Sequence, residues 1–416
     1  MRDPEVLVVG AGPHGLAAVS YLLAADPSLA GRLAVADSDP WLAGWDARFS
    51  SLELTTLRSA CVHHPHPEPY ALLDWASAAG RSGHFSGPVG APDTTLFADF
   101  CRSLVARHDL ERARIALRVT GLHPRDDGRV DVELPGRRLR VRRVVLAAGG
   151  GRPHVPVPGG VHSGSVDLSA VRAGQAVVVV GGGLTAAHLA RRAALRGAHV
   201  VLVPRAPLRS RLMDVDAVWL GTELPGFFAR PAADRAALVR TARPGTVPPA
   251  VRDAVHVDPR VRIRLGRLHR VSAGRAHLAD GEDLHADHVW LATGYSFDVR
   301  RHRLTAGLLQ EAPVEVVDGL PVLTASLSWG GTSVHVSGGL AAMGIGPAAR
   351  GLAGARMAAE RYTEAITGLA TGRRQYPVPE TAPPEAMPAQ PPGLRPAATS
   401  LHAGKQKTPS TPWTTS

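Results

Sequence analysis

Val6-Leu7-Val8-Val9-Gly10-Ala11-Gly12-Pro13-His14-Gly15 lies almost at the start of the chain. Four apolar residues, three of them valine, read as a buried strand. The glycines fit G-x-G-x-x-G, and Leu16, Val19, Leu22 and Leu23 follow at helical spacing. A strand running into a glycine turn and then a helix is the context that gives this motif meaning. Gly10 permits the tight turn, Gly12 lets a pyrophosphate approach the backbone, and Gly15 lets helix and strand pack closely. The helix N-terminus offers unpaired N–H groups to phosphate oxygens. A second strand, Leu33-Ala34-Val35-Ala36, ends at Asp37, about 20 residues on, where a carboxylate accepts hydrogen bonds from ribose hydroxyls.

A second copy stands in mid-chain. Val177 to Val180 reads as a strand, Gly181-Gly182-Gly183-Leu184-Thr185-Ala186 fits G-x-G-x-x-A, and His199 to Val203 is the second strand. Here Pro204-Arg205 stands where the first unit has its carboxylate. A carboxylate repels a ribose 2′-phosphate, whereas a guanidinium binds it through two donors. Arg205, with Arg209 and Arg211 nearby, therefore favours NADPH over NADH. The competing reading is that Arg205 is one of many surface arginines.

Between these units, 41 to 112 reads as irregular, with a helix from Phe97 to Val105. Alternating segments at Ile115 to Leu122, Val130 to Leu134 and Leu139 to Ala147 predict a small antiparallel meander. After the second unit the pattern returns at Arg262 to Val271, Arg275 to Leu278 and the strand Val289 to Leu291. Each half thus reads as glycine loop, second strand, meander, then a strand ending Ala147-Ala148-Gly149 or Ala292-Thr293-Gly294. This duplication predicts an α/β fold with two Rossmann-like dinucleotide-binding domains, each carrying a small antiparallel meander. The expected boundaries are 1–160 and 285–370 for the first domain, 161–284 for the inserted domain, and 371–416 for a proline-rich disordered tail.

The formal net charge of +11 raises the question of nucleic acid. Arginines scattered through an Ala-, Gly- and Pro-rich chain, with lysine only at Lys405 and Lys407, argue for compositional bias instead. No apolar run reaches the roughly 20 residues of a membrane helix. The chain enters a strand at once, so a cytoplasmic location is the expectation. Cys61 and Cys101 form no C-x-x-C, which argues against a redox dithiol. His63-His64-Pro65-His66 lacks a metal-binding spacing, and no metal is expected. Trp219 either lines the cofactor cleft or, the stronger reading, packs inside the protein.

Together these residues resemble the flavoproteins with two dinucleotide-binding domains. Gly10-x-Gly12-Pro13-x-x-Leu16 is similar to the FAD loop of the lysine/ornithine N-hydroxylase group, with flavin-containing monooxygenases as relatives. Leu291-Ala292-Thr293-Gly294-Tyr295 matches a segment of such monooxygenases, and Ala147-Ala148-Gly149 is its counterpart in the first half. Gly338-Gly339-Leu340-Ala341 and Gly346-Pro347-Ala348-Ala349-Arg350 resemble the last flavin-contacting stretch, although Gly346-Pro347 also fits a simple helix cap. Arg58, in a segment similar to one beside the flavin, is a candidate FAD contact. His63 or His64 either faces substrate or steadies the loop.

The resemblance implies FAD on the first loop and NADPH on the second. It implies a monooxygenase in which reduced flavin and oxygen form a C4a-hydroperoxide that oxygenates a small nucleophile, N-hydroxylation of an amine included. Such chemistry belongs to the cofactor, so no side chain is assigned as catalytic. Two alternatives stand beside it. One is an oxidoreductase passing electrons to a quinone, an imine or a partner protein. The other is a nucleotide-binding regulator without turnover. The expected partners are a small-molecule substrate and molecular oxygen.

Overall fold

The computed structural model describes residues 3–149, 151–369 and 376. The tail expected over 371–416 lies outside the described residues except for Tyr376, which is buried in the main core.

Two five-stranded parallel sheets form the frame, alike in four strands and differing in the edge strand, which comes last in the chain for the first sheet and first for the second. In the first, the order is Val334–Val336, Arg143–Leu146, Val6–Val9, Leu33–Ala36, Arg114–Ile115. In the second it is Val161–His162, His288–Leu291, Ala176–Val180, His199–Val203, Val261–Ile263. Val6–Val9 and Leu33–Ala36 are buried at every position. Parallel strands covered on both faces carry such continuous apolar runs rather than alternating ones.

Each sheet is interrupted along the chain by a three-stranded antiparallel meander, which precedes Arg143–Leu146 in the first and His288–Leu291 in the second. These are Gly121–Pro124, Val130–Leu134, Arg137–Val141 and Leu268–Ser272, Arg275–Leu278, Asp283–His285. Three segments expected as single strands each divide in two. Ile115 to Leu122 splits between the sheet and the meander, as do Arg262 to Val271 and Leu139 to Ala147. The breaks fall where the chain must leave one sheet for another, at 116–120, at 264–267 and at Arg142. Alternation alone carries no information about which sheet a strand joins.

The boundary expected at 285 also moves. His288–Leu291 pairs with Ala176–Val180, so the second sheet reaches past it. The chain crosses between the sheets on an antiparallel ribbon, Gly151–Pro153 with Tyr295–Phe297.

Helix Pro13–Ala25 starts with proline at its first turn and ends where Asp26-Pro27 breaks it. It packs beside helix Leu352–Thr367, whose first twelve residues are all buried. Within the latter, the buried Arg356 donates to the carbonyls of His64 (3.1 Å), His66 and Pro67 (2.8 Å). That ties the histidine-bearing loop to the C-terminal helix. No helix among the described residues is long and apolar enough to cross a membrane.

Candidate active site

The first glycine loop shows why each glycine is needed. Gly10 has φ +114°, and a Cβ there would lie 2.6 Å from the Ala147 carbonyl oxygen. A Cβ on Gly15 would lie 1.9 Å from the Gly10 carbonyl oxygen. A Cβ on Gly12 would meet nothing within 4 Å. Gly10 and Gly15 are therefore demanded by the fold, while Gly12, the N-cap of helix Pro13–Ala25, faces open space. That space, before unpaired helix N–H groups, fits a pyrophosphate. Asp37 accepts from the Ala11 N–H (2.8 Å) and the Asp39 N–H (3.0 Å), so the ribose-type carboxylate also sets the loop. Gly149 continues the strand that touches this loop and is exposed.

The second loop repeats the backbone but not the opening. Gly181 has φ +147°, and a Cβ there would lie 2.5 Å from the Ala292 carbonyl oxygen. Ala186 is fully buried at the third position. Gly183 caps helix Leu184–Leu195, yet the Cα of Gly245 stands 3.5 Å from the position a Gly183 Cβ would take. Gly245 belongs to a strap in which Arg209–Ser210 pairs with Thr246–Val247. The space before Gly183 fits a phosphate less openly than that before Gly12. Arg205 is exposed just past the end of its strand and lines the cleft, as does Arg267.

One cleft of about 1010 Å³ joins both loops. It runs from Pro13 and His14, past Gly351 at the start of helix Leu352–Thr367, to Gly181–Thr185. Thr293 and Gly294 line it; Thr293 Oγ1 donates to the His154 carbonyl, and the Gly294 carbonyl accepts from His162 Nε2 (3.0 Å). Gly346 and Pro347 are buried behind it, with Pro347 opening the short turn Pro347–Arg350. The helix that points into the cleft thus begins at Leu352, not at the Gly-Pro pair.

The cleft is strongly cationic. Arg48, Arg58, Arg205, Arg243, Arg267 and Arg350 line it, against one carboxylate, Asp214, among the described residues. Asp214 pairs with Arg243 and lies 3.9 Å from Arg58. Burial, with Arg350 and Arg58 adding repulsion, pulls Arg243 down to about 9. Burial and Arg211 pull Arg58 down to about 10.

Arg58, expected as a flavin contact, is otherwise engaged. It donates to the carbonyls of Leu212 (3.1 Å), Thr246 (2.8 Å) and Arg211 (2.6 Å), and to Thr246 Oγ1 (2.8 Å). Four of the five guanidinium N–H groups are used, so Arg58 clasps the strap to the first half of the molecule. His63 lines the cleft and bonds Ser59 Oγ (3.2 Å), whereas His64 is turned to the Pro69 carbonyl (2.9 Å). His14 Nδ1 bonds Ser337 Oγ at 3.0 Å, and burial lowers it to about 4. Cys61 and Cys101 are free and buried, and burial raises both thiols, away from the reactive thiolate. Trp219 packs edge-on against Phe227 and does not line the cleft.

Sequence reasoning missed Arg48, Arg243 and Arg267, and reached Arg350 only as the last residue of the stretch that resembles a flavin contact. In so arginine-rich a chain no local signal separates a cleft arginine from a surface one.

Comparison with known proteins follows the same geometry. The family model described as pyridine nucleotide-disulphide oxidoreductase matches residues 4–217. No protein with a curated description matches the chain. Among solved structures, the chain is similar to the FAD-bound cadaverine monooxygenase of desferrioxamine biosynthesis from Erwinia amylovora. That match has TM-score 0.70 and 18% identity, covering 94% of this chain and 100% of that one. The ornithine N-hydroxylase of Kutzneria sp. 744 gives TM-score 0.67 and 19% identity, covering 88% and 99%. The L-lysine 6-monooxygenase of Pseudomonas syringae gives 0.70 and 17%, covering 88% and 99%. At these identities the likeness establishes the shared two-dinucleotide-domain fold. With the family model matching just over half of its length, the chain belongs to the pyridine nucleotide-disulphide oxidoreductase family.

Proposed function

We propose that the chain is an NADPH-dependent FAD monooxygenase that oxygenates a small nucleophilic substrate, with N-hydroxylation of an amine as its foremost reaction. The observation that carries this reading is the single cleft joining an open glycine loop to a second one whose strand ends in Arg205. On this reading the units divide at the ribbon Gly151–Pro153 and Tyr295–Phe297.

FAD would be held by Gly10, Gly12, Pro13 and Gly15, with Asp37 on its ribose and Gly149 beside the loop. The turn at Gly346-Pro347 would set the helix that begins at Leu352. NADPH would be held by Gly181, Gly183 and Ala186, with Arg205 on its 2′-phosphate and Thr293-Gly294 at the junction. When bound, the flavin supplies the redox chemistry, taking electrons from NADPH and delivering them to oxygen. The chain's own contribution is alignment and dryness. Trp45, Phe49, Leu52 and Leu54 wall one side of the cleft with apolar surface, which limits water at the reacting atoms. The two buried, electronically quiet cysteines support oxygen rather than a protein dithiol as the acceptor.

Rapid mixing of FAD-loaded protein with NADPH under anaerobic conditions, followed by oxygen, tests the proposal. Fast bleaching and then a transient absorbing species before reoxidation is the expected result. Bleaching with direct return to oxidised flavin would favour electron transfer without oxygenation. Absence of bleaching would favour a regulator.

A further inference from the structure

Tyr295 and Phe297 alternate on the linking strand, and each carries a guanidinium over its ring. Arg48 lies 5.1 Å from the Tyr295 centroid and Arg350 lies 4.7 Å from the Phe297 centroid. Arg48 comes from helix Ala43–Ser51, and Arg350 directly precedes Gly351, the N-cap of helix Leu352–Thr367. Both line the cleft. Among the described residues neither guanidinium has an ion pair or a side-chain hydrogen bond, and neither has an interaction beyond those given. Burial lowers Arg350, and the charge of Arg48 lowers it further. Two like charges therefore stand over rings of one strand, both residues exposed to the cleft, without a carboxylate. The cleft's one carboxylate, Asp214, is committed to Arg243.

We propose that Arg48 and Arg350 form a clamp for a carboxylate on the substrate, so that the cleft selects anionic substrates over cationic diamines. This rests on the reading of the cleft as the place where substrate meets flavin. A ring beneath a guanidinium covers one face and leaves the N–H edges free for a carboxylate's two oxygens. The cofactors' phosphates have sites elsewhere: Gly12 with its helix N-terminus, and Arg205 with the second loop. A diammonium would instead meet six arginines, with the one carboxylate already paired.

Calorimetric titration of the FAD-loaded protein with glutarate, and with cadaverine of equal carbon number, tests the clamp. Glutarate should bind and cadaverine should not. Arg350→Gln and Arg48→Gln should each weaken glutarate by about tenfold or more, as loss of a charge-assisted bond does. Arg350→Lys should retain part of the affinity, and melting temperature and FAD content should stay at the parent values. Tighter binding of cadaverine, no binding of glutarate, or equal glutarate affinity in all variants would overturn the proposal. So would loss of FAD from either glutamine variant, which would assign the pair to the cofactor's phosphates. Calorimetry needs no turnover. Glutarate binding in a protein whose flavin NADPH cannot reduce would remove the monooxygenase reading and leave the clamp standing.

Discussion

Gly12 and Gly15 are the same residue type under opposite demands. A Cβ at 15 meets a backbone oxygen at 1.9 Å, and a Cβ at 12 meets nothing within 4 Å. Gly15→Ala should therefore lower the melting temperature sharply, because backbone cannot move aside cheaply. Gly12→Val should melt near the parent's apo form yet purify without flavin absorbance. A yellow, flavin-replete Gly12→Val protein would remove the first loop from the cofactor site. Arg205 permits a second test at this scale. Losing a charge-assisted phosphate contact costs about 1.5–3 kcal/mol, or roughly 10- to 150-fold. Arg205→Asp should weaken NADPH by that factor and leave NADH nearly unchanged, read from the concentration dependence of flavin reduction. Equal losses for both would mean that Arg205 meets no 2′-phosphate.

At the scale of the element, the strap of 209–247 is held by one residue from far away in sequence. Arg58 satisfies the carbonyls of Arg211, Leu212 and Thr246 together. Arg58→Ala leaves these partly buried acceptors without their donor, and should destabilise the protein by about 2–4 kcal/mol. Proteolysis should then cut within the strap first, with FAD still bound. If the variant instead lost FAD and kept its strap protected, Arg58 would be the flavin contact that its neighbourhood in sequence suggested. The strap was not legible beforehand, because nothing in Arg209 or Thr246 announces a partner at 58. The glycine loops were legible, since fingerprint, strand and helix are contiguous and each glycine answers a local steric demand. The meanders were legible as alternation, but their edges were not. A run such as Leu139 to Ala147 keeps its pattern while passing from one sheet to another.

Across the whole molecule, duplication was readable because the two halves repeat the same signals in the same order. Four of the five strands in each sheet follow the same order, and only the edge strand differs: it comes last in the chain for the first sheet and first for the second. The cleft's charge was not readable, because Arg48, Arg243 and Arg350 converge only after folding. A further property is likewise spread over the fold. His14 at the first loop, His63 in the cleft, His188 on the second-loop helix and His335 in the first sheet are each lowered to about 4, chiefly by burial. An unfolded histidine titrates near 6.5, the value from which these are lowered. Between these values the unfolded chain binds more protons than the folded one. Stability then rises with pH through that window, and falls as acid carries the solution from about 6.5 toward 4. Melting temperatures measured across this range should drop steeply on acidification and level off above neutrality. His335 is 4% exposed, and its Nδ1 donates to the Ser326 carbonyl at 3.0 Å. His335→Gln keeps a donor but cannot titrate, so its profile should be shallower than the parent's. An identical slope in parent and variant would show that His335 does not stay neutral in the folded protein.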